Sequence, residues 1–268
     1  MILANIFESS LLNQLEFNEN SNKVFIYTVN LSICKQNIPQ FWECLSAEER
    51  SQANKYYTSN LSDLYIISHG ILRYILSYYT KQLPQEIEFI HNKYGKPFLR
   101  NNNIQFNMSH SNDTVNYIIA LDHKVGIDIE VHNNTLDIQE FSDLVFTQAE
   151  CKFFSTLKDE EKLEFFYNLW TKKESLTKAS GKGLYYPINT IEAMTLSPCE
   201  KIFLDNEDNQ FKQEWYYFPL EVAPNYSGAI AIEHKINQII YLEMSSKKNI
   251  FDKIKVKIVQ SALKQKIT

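Results

Sequence analysis

Trp170, Glu174 and Lys178 recur every four residues, so a helix sets them in one stripe made of an aromatic ring, a carboxylate and an ammonium. Lys172, Lys173 and Lys182 add positive charge around the stripe, and Gly181 and Gly183 end the helix. An ordinary surface helix with an i,i+4 Glu–Lys pair and a glycine C-cap has the same local pattern. A second group separates the two readings. In Val125-Gly126-Ile127-Asp128-Ile129-Glu130-Val131, alternate residues of a strand share a face, so Ile127, Ile129 and Val131 point one way and Asp128 and Glu130 the other. Two carboxylates side by side on an apolar strand repel each other and lose hydration, and a divalent cation relieves both costs. The ligands are hard oxygens with no His or Cys beside them, which favours Mg²⁺ over Zn²⁺. A half-exposed strand with an acidic outer face is the plain alternative.

Two further groups are suited to anions. Tyr94-Gly95-Lys96-Pro97 is a turn that presents Lys96 and bare backbone amides, with Pro97 fixing φ after a pliable glycine. Asn107, Ser109, His110 and Ser111 cluster in what reads as a loop between two β segments, where hydroxyl, imidazolium and N–H groups can meet phosphate oxygens. His69, His91, His123, His132 and His234 are isolated and read as structural.

The elements that must hold these groups follow from caps and periodicity. Val24–Val29 and Val115–Leu121 read as strands, as do Ile87–Ile90, Ile188–Thr195, Phe203–Leu204, Gln213–Phe218, Ala229–Glu233 and Ile239–Leu242. Ser46-Ala47-Glu48-Glu49 and Thr147-Gln148-Ala149-Glu150 are capping boxes, each opening a short helix, which makes Glu150 a cap. A long helix is expected over Ser62–Tyr79. The last stretch, Ser245–Thr268, has seven lysines among apolar residues and is expected to form an appended amphipathic helix.

These elements repeat. Each half has a capping box, a long helix, a Gly-Lys turn and a polar turn feeding a short strand. The expectation is an α+β protein, a pseudo-two-fold pair of similar α/β subdomains with the active site in the cleft between them. Residues 1–124 make the first subdomain, 125–244 the second with the metal ligands, and 245–268 the Lys-rich extension.

The chain of 268 residues carries a net charge of −5, so no general basic field draws it to nucleic acid or to an anionic membrane. Its four cysteines are scattered, which fits reduced thiols in a cytosolic protein. The start, MILANIFESSLL, lacks the marks of a secretory leader, and no apolar run is long enough to span a bilayer. A soluble, cytoplasmic protein is expected.

Taken in order, Gly95-Lys96-Pro97, Phe106-Asn107-Met108-Ser109-His110-Ser111, Gly126-Ile127-Asp128-Ile129-Glu130 and Trp170-x-x-Lys173-Glu174-Ser175-x-x-Lys178-x-x-Gly181-x-Gly183-Leu184 resemble the signature of the surfactin-synthetase-type 4′-phosphopantetheinyl transferases. The motifs run from about Ser46 to Leu184, and the layout matches to about Leu242. The resemblance implies a Mg²⁺-dependent transfer of 4′-phosphopantetheine from coenzyme A to a serine of an apo acyl or peptidyl carrier protein, releasing adenosine 3′,5′-bisphosphate. It implies Asp128, Glu130 and Glu174 as Mg²⁺ ligands, and Glu174, Lys178, Glu130 and His110 as catalytic residues. It implies Gly95, Lys96, Pro97, Asn107, Ser109, His110, Lys173 and Lys178 as contacts to coenzyme A. Glu130, Glu174 or a water takes the serine proton. The partners implied are the carrier and coenzyme A, with no nucleic acid and no membrane, and the enzyme is expected to be a monomer.

In one place the chain departs from the family. Basic residues that usually meet the 3′-phosphate of coenzyme A are replaced by Glu49 and Gln52, with Arg50, Lys55 and Arg73 nearby as substitutes. Carrier docking is expected near the second capped helix, where Lys152, Phe153 and Phe154 form a mixed surface unless the phenylalanines belong to the core. Two rivals stand beside this reading. One is a Mg²⁺-dependent nucleotide pyrophosphohydrolase, which would release bisphosphate without a carrier. The other is a non-catalytic coenzyme A or carrier-binding module, against which the intact acidic set argues.

Overall fold

The computed structural model describes residues 16–17, 22–194, 201–204, 213–244 and 254–260. The first strand, β1 (Lys23–Asn30), is followed by a 3₁₀ turn and two short helices, α1 (Ile38–Cys44) and α2 (Ala47–Ala53). The long helix α3 (Ser59–Thr80) comes next. The small hairpin β2 (Phe89–His91) and β3 (Pro97–Leu99) precedes the hairpin β4 (Ile104–Ser111) and β5 (Thr114–Leu121). The second half repeats the order with β6 (Val125–Val131), α4 (Ile138–Val145), α5 (Gln148–Phe154) and the long helix α6 (Asp159–Ser180). It closes with β7 (Lys201–Leu204), β8 (Gln213–Pro219) and β9 (Tyr226–Ile232). Two last strands, β10 (Gln238–Met244) and β11 (Ile254–Gln260), complete the described chain.

Of the two larger sheets, one has the order β11-β10-β1-β5-β4 and the other β6-β9-β8-β7, beside the two-stranded sheet β2-β3. Alternation along the strands sorts the core into layers. From β1, Phe25, Tyr27 and Val29 join the core under α3, while Val24 and Ile26 join Ile118, Val125, Ile127, Ile230 and Ile232 in a core shared by the two sheets. From β9, Ala229 and Ala231 meet the core under α6. Each sheet is thus covered by a long helix on one face and by the other sheet on its other face, which makes four layers, α/β/β/α.

Several expectations are corrected here. Residues 254–260 form a strand antiparallel to β10, not a helix. Ile254-Lys255-Val256-Lys257-Ile258 alternates with period two, and the lysine count hid that pattern. β10 pairs in parallel with β1, so the chain returns to the first sheet before residue 244, and the division at 124 does not hold for these strands. Residues 104–111 are a strand throughout, not a phosphate loop. Ile188–Thr190 is a 3₁₀ turn, not the start of a strand.

Candidate active site

The site is built where β6 meets α6. Gly126 allows the approach: a Cβ there would stand 2.0 Å from Ser175 O and 2.5 Å from Ala179 N, so strand and helix touch backbone to backbone. Two residues on, on the same face of β6, Asp128 is therefore close enough for its short side chain to meet the helix. Lys178 Nζ donates to Asp128 Oδ1 at 2.6 Å and to Ser109 Oγ at 3.0 Å, and Ser109 Oγ donates to Asp128 Oδ1 at 2.9 Å. Asp128 is 2 % exposed at its side chain and Lys178 is 26 % exposed, so the ammonium is the part of the pair that reaches solvent.

The carboxylates are under electrostatic load. Burial first, then the charge of Asp128, pushes the Glu174 carboxyl up to about 7, with Lys178 opposing and Glu130 adding. Burial and then Asp128 also raise Glu130, opposed by hydrogen bonds from Ser111 and Trp170 and by Lys178. Asp128 Oδ2 and Glu174 Oε1 are buried without a hydrogen-bond partner. Two orphaned, hard, anionic oxygens beside a third carboxylate are the donor chemistry of a divalent cation such as Mg²⁺. Among the described residues no three His, Cys, Asp or Glu side chains already converge on one point. The position against Asp128 is held instead by the Lys178 ammonium.

β4 supplies the opposite wall. β4 and β6 are edge strands of different sheets, and side chains join them. Asn107 Oδ1 accepts from Ile127 N (3.0 Å), Ser111 Oγ donates to Glu130 Oε2 (3.1 Å), and Val131 N donates to Ser111 Oγ (3.0 Å). Asn107, Ser109 and Ser111 alternate along β4, which is why all three face β6. The hydroxyl of Ser109 and the amide of Asn107 are engaged in this seam. His110 points the other way and is exposed; partial burial and then Lys178 hold its imidazole below the ordinary value.

Two of the cations assigned to coenzyme A have their ammonium groups engaged by the protein itself. Lys173 is fully buried in the second half, where it pairs with Glu150 and donates to Val145 O at 2.7 Å. A helix turns about 100° per residue, so the neighbour of Glu174 in sequence faces away from the site. Lys96 Nζ donates to three backbone carbonyls, those of Val125, Lys178 and Ala179, instead of presenting its charge. Burial pushes the Lys96 ammonium down to about 7, Lys124 adds to this and Glu233 opposes it. The amides of its turn are not bare either: Asn92 Oδ1 accepts from Tyr94 N and Lys96 N, and Asn92 O from Gly95 N. Gly95 itself is exposed with φ +90°, and Pro97 opens β3.

His132, read from the sequence as structural, continues the alternation of Asp128 and Glu130 one residue past the end of β6. Its ring stacks on Tyr167 with centroids 5.0 Å apart, and Nε2 lies 2.9 Å from Ser227 Oγ. Ser227 Oγ donates to Asn168 Oδ1 at 2.8 Å, so its one proton is in use and the imidazole must be the donor to Ser227. Stacking and this hydrogen bond give His132 a structural place beside the site.

Comparison with known proteins agrees with this architecture. Residues 124–231 match the 4′-phosphopantetheinyl transferase superfamily, and residues 32–121 match the N-terminal 4′-phosphopantetheinyl transferase family. HetI of Nostoc sp., named a 4′-phosphopantetheinyl transferase, is 28 % identical over 79 % of this chain and 88 % of its own. Sfp of Bacillus subtilis, likewise named, is 26 % identical over 79 % and 92 %. AcpT of Escherichia coli O157:H7, also a 4′-phosphopantetheinyl transferase, is 32 % identical over 48 % of this chain and 67 % of its own. The holo-[acyl-carrier-protein] synthase of Thermotoga maritima aligns in structure at TM-score 0.27 and 19 % identity, over 46 % of this chain and 70 % of that one, too weakly to argue from. The chain belongs to the 4′-phosphopantetheinyl transferase family, enzymes that move this group from coenzyme A to carrier proteins. Among the described residues no helix is long and apolar enough to cross a membrane.

Proposed function

We propose that this protein transfers 4′-phosphopantetheine from coenzyme A to the serine of an apo acyl or peptidyl carrier protein, requires Mg²⁺, and releases adenosine 3′,5′-bisphosphate. The observation that carries the proposal is the pair of orphaned buried oxygens, Asp128 Oδ2 and Glu174 Oε1, beside Glu130 and Lys178 at the seam between the halves. Asp128, Glu130 and Glu174 would hold the cation. Bound there, it supplies Lewis-acid neutralisation of charge growing on the departing bisphosphate.

The rest of the work belongs to the chain. Lys178 is the partly exposed cation at the site and is free to exchange Asp128 for a pyrophosphate oxygen, which gives the anion a charge-assisted contact where charge develops. Ser109 and Ser111 hold Asp128 and Glu130 in their rotamers. The nucleophile is the carrier's own serine, so the enzyme needs none, and Glu130, Glu174 or a water accepts its proton. The division near residue 124, with the ligands in the second subdomain and β10 and β11 returned to the first sheet, is part of this proposal, and the two family matches meeting at residues 121 and 124 support it. A monomeric, cytoplasmic enzyme fits the same reading.

The test is to incubate the protein with coenzyme A, MgCl₂ and an apo carrier and to weigh the carrier by mass spectrometry. A carrier heavier by one phosphopantetheine is expected; bisphosphate released without carrier modification would instead mark a pyrophosphohydrolase. Asp128→Ala should lower turnover at saturating Mg²⁺ by about a hundredfold or more while unfolding stays cooperative. Near-normal turnover of that variant would remove the cation assignment.

A further inference from the structure

The turn that carries Lys96 belongs to the first half, yet its side chains end on the backbone of the second. Lys96 Nζ lies 2.9 Å from Val125 O, 2.8 Å from Lys178 O and 3.2 Å from Ala179 O. Asn92, which shapes the same turn, donates Nδ2 to Gly181 O at 2.8 Å. The last carbonyls of a helix have no partner within the helix. Those of Lys178 and Ala179, with that of the C-cap Gly181, are met from across the seam, Lys178 O accepting from Gly181 N as well, and the cation sits at the helix end whose dipole favours it. An ammonium has three protons, and all three have acceptors here. The clamp therefore grips α6 at the residue whose side chain meets Asp128, and grips β6 shortly before Asp128.

We infer that Lys96, with Asn92, is a positioning residue for the transfer: it fixes the end of α6 against the start of β6, so placing Lys178 beside Asp128, and does not touch coenzyme A. The inference rests on the proposed function for its kinetic consequence but not for its structural one. A clamp of this kind changes how well the site is assembled, not how tightly the donor is held.

The structural test is made on the wild-type enzyme. Proton–nitrogen correlation spectra of the lysine ammonium groups are recorded at about pH 6, where Lys96 is charged, and the Lys96 signal is assigned by its loss in Lys96→Met. The clamp predicts a protected, slowly exchanging signal that stays in place when coenzyme A is added to saturation. A signal exchanging with water like those of surface lysines, or one that moves on coenzyme A binding, overturns it. In the transfer assay, Lys96→Met should lower kcat about ten- to a hundredfold, with KM for coenzyme A within about threefold. Asn92→Ala, which loosens the same helix end without removing a charge, should lower kcat about threefold or more with the same constancy of KM. A large rise in KM for coenzyme A with kcat retained would make Lys96 a substrate contact after all. If the wild-type enzyme modifies no carrier, the functional reading fails, and the ammonium signal still decides the clamp.

Discussion

The two halves share a scaffold but not a site, and the difference lies in a few positions of the long helices. Both helices have 22 residues, and the fifteenth residue of each, Arg73 or Lys173, is a buried cation. Each pairs with the glutamate of the preceding capping box. Arg73 Nε donates to Glu49 at 2.7 Å and its Nη1 to Pro84 O and Ile87 O; Lys173 donates to Glu150 and to Val145 O. The capping glutamate thus has two functions in each half, closing its own helix and holding the long one. One residue further along, the halves part. The first half has Tyr74, and a turn later Tyr78, both packed in its core. The second has Glu174 and Lys178 at the same places, facing Asp128 across the approach that Gly126 permits. A repeated fold supplies the frame twice, and the proposed chemistry uses the copy whose strand comes close enough for short charged side chains to meet.

If the buried pairs are the shared frame, breaking either should unfold its half, and the second should suffer more. Glu150 is fully buried and also accepts from Ala193 N and Met194 N, whereas Glu49 keeps 8 % exposure. Glu150→Ala is expected to cost about 5 kcal/mol and Glu49→Ala about 3 kcal/mol, in the range for removing one member of a buried pair, read from urea denaturation. Equal losses would mean that the additional amide contacts of Glu150 contribute nothing.

The next effect separates Glu174 from its counterpart Tyr74. A glutamate ordinarily titrates near 4.5, and here its pKa is raised to about 7. The folded state therefore holds the proton more tightly, and the resulting stabilisation is complete below about pH 4.5 and is lost as pH rises through about 7. Metal-free protein should lose on the order of 3 kcal/mol of stability from this group between those values. Glu174→Gln should flatten that part of the profile, and Mg²⁺ should restore stability more at pH 8 than at pH 6. A profile unchanged in Glu174→Gln would mean that the carboxylate is not strained.

Gly126→Ala tests the close approach directly. Its Cβ would meet backbone atoms of α6, which cannot turn aside as a side chain could. A loss of about 1–3 kcal/mol is expected, together with weaker Mg²⁺ dependence because Asp128 moves off Lys178. Full stability in the variant would show that strand and helix are less tightly apposed.

The smallest effect concerns the first half's share in binding coenzyme A. Arg73 is enclosed with Glu49, and Arg50 lies over Trp42 while donating to Trp42 O and Glu43 O. Two of the three substitutes for the replaced basic residues are thereby engaged, and the His110 imidazole is held below its ordinary value. Coenzyme A and 3′-dephospho-coenzyme A should then differ by only a few-fold in kcat/KM at pH 8, against the ten- to hundredfold of a fixed charged contact of roughly 1.5–3 kcal/mol. The gap should widen in acid as His110 gains its proton. A strong preference at pH 8 that survives His110→Ala would move the role to Lys55.

Much of this was legible in the chain because it depends on periodicity. The stripe of Trp170, Glu174 and Lys178, the alternation of Asp128 and Glu130, both capping boxes and the duplication are properties of residue type and spacing, and regular backbone geometry turns them into faces. Of the two phenylalanines in the expected docking patch, Phe153 is 44 % exposed, while Phe154 is buried in the core of its half. Periodicity, read further, would also have shown the last strand.

Where the end of the chain goes had no local signal. A strand with two apolar faces fits either sheet, and only the packing of the whole molecule returned β10 to lie parallel with β1. The same holds for Lys96, Ser109 and Asn107, whose partners are backbone carbonyls, a buried carboxylate and a strand-edge amide brought from the other half. By itself the sequence determined which groups share a face, because the backbone repeats every 3.6 or two residues. Which of those groups stay open for a ligand was decided only by the tertiary structure, because a buried donor takes the nearest acceptor that folding brings to it, and that acceptor is seldom near it in the chain.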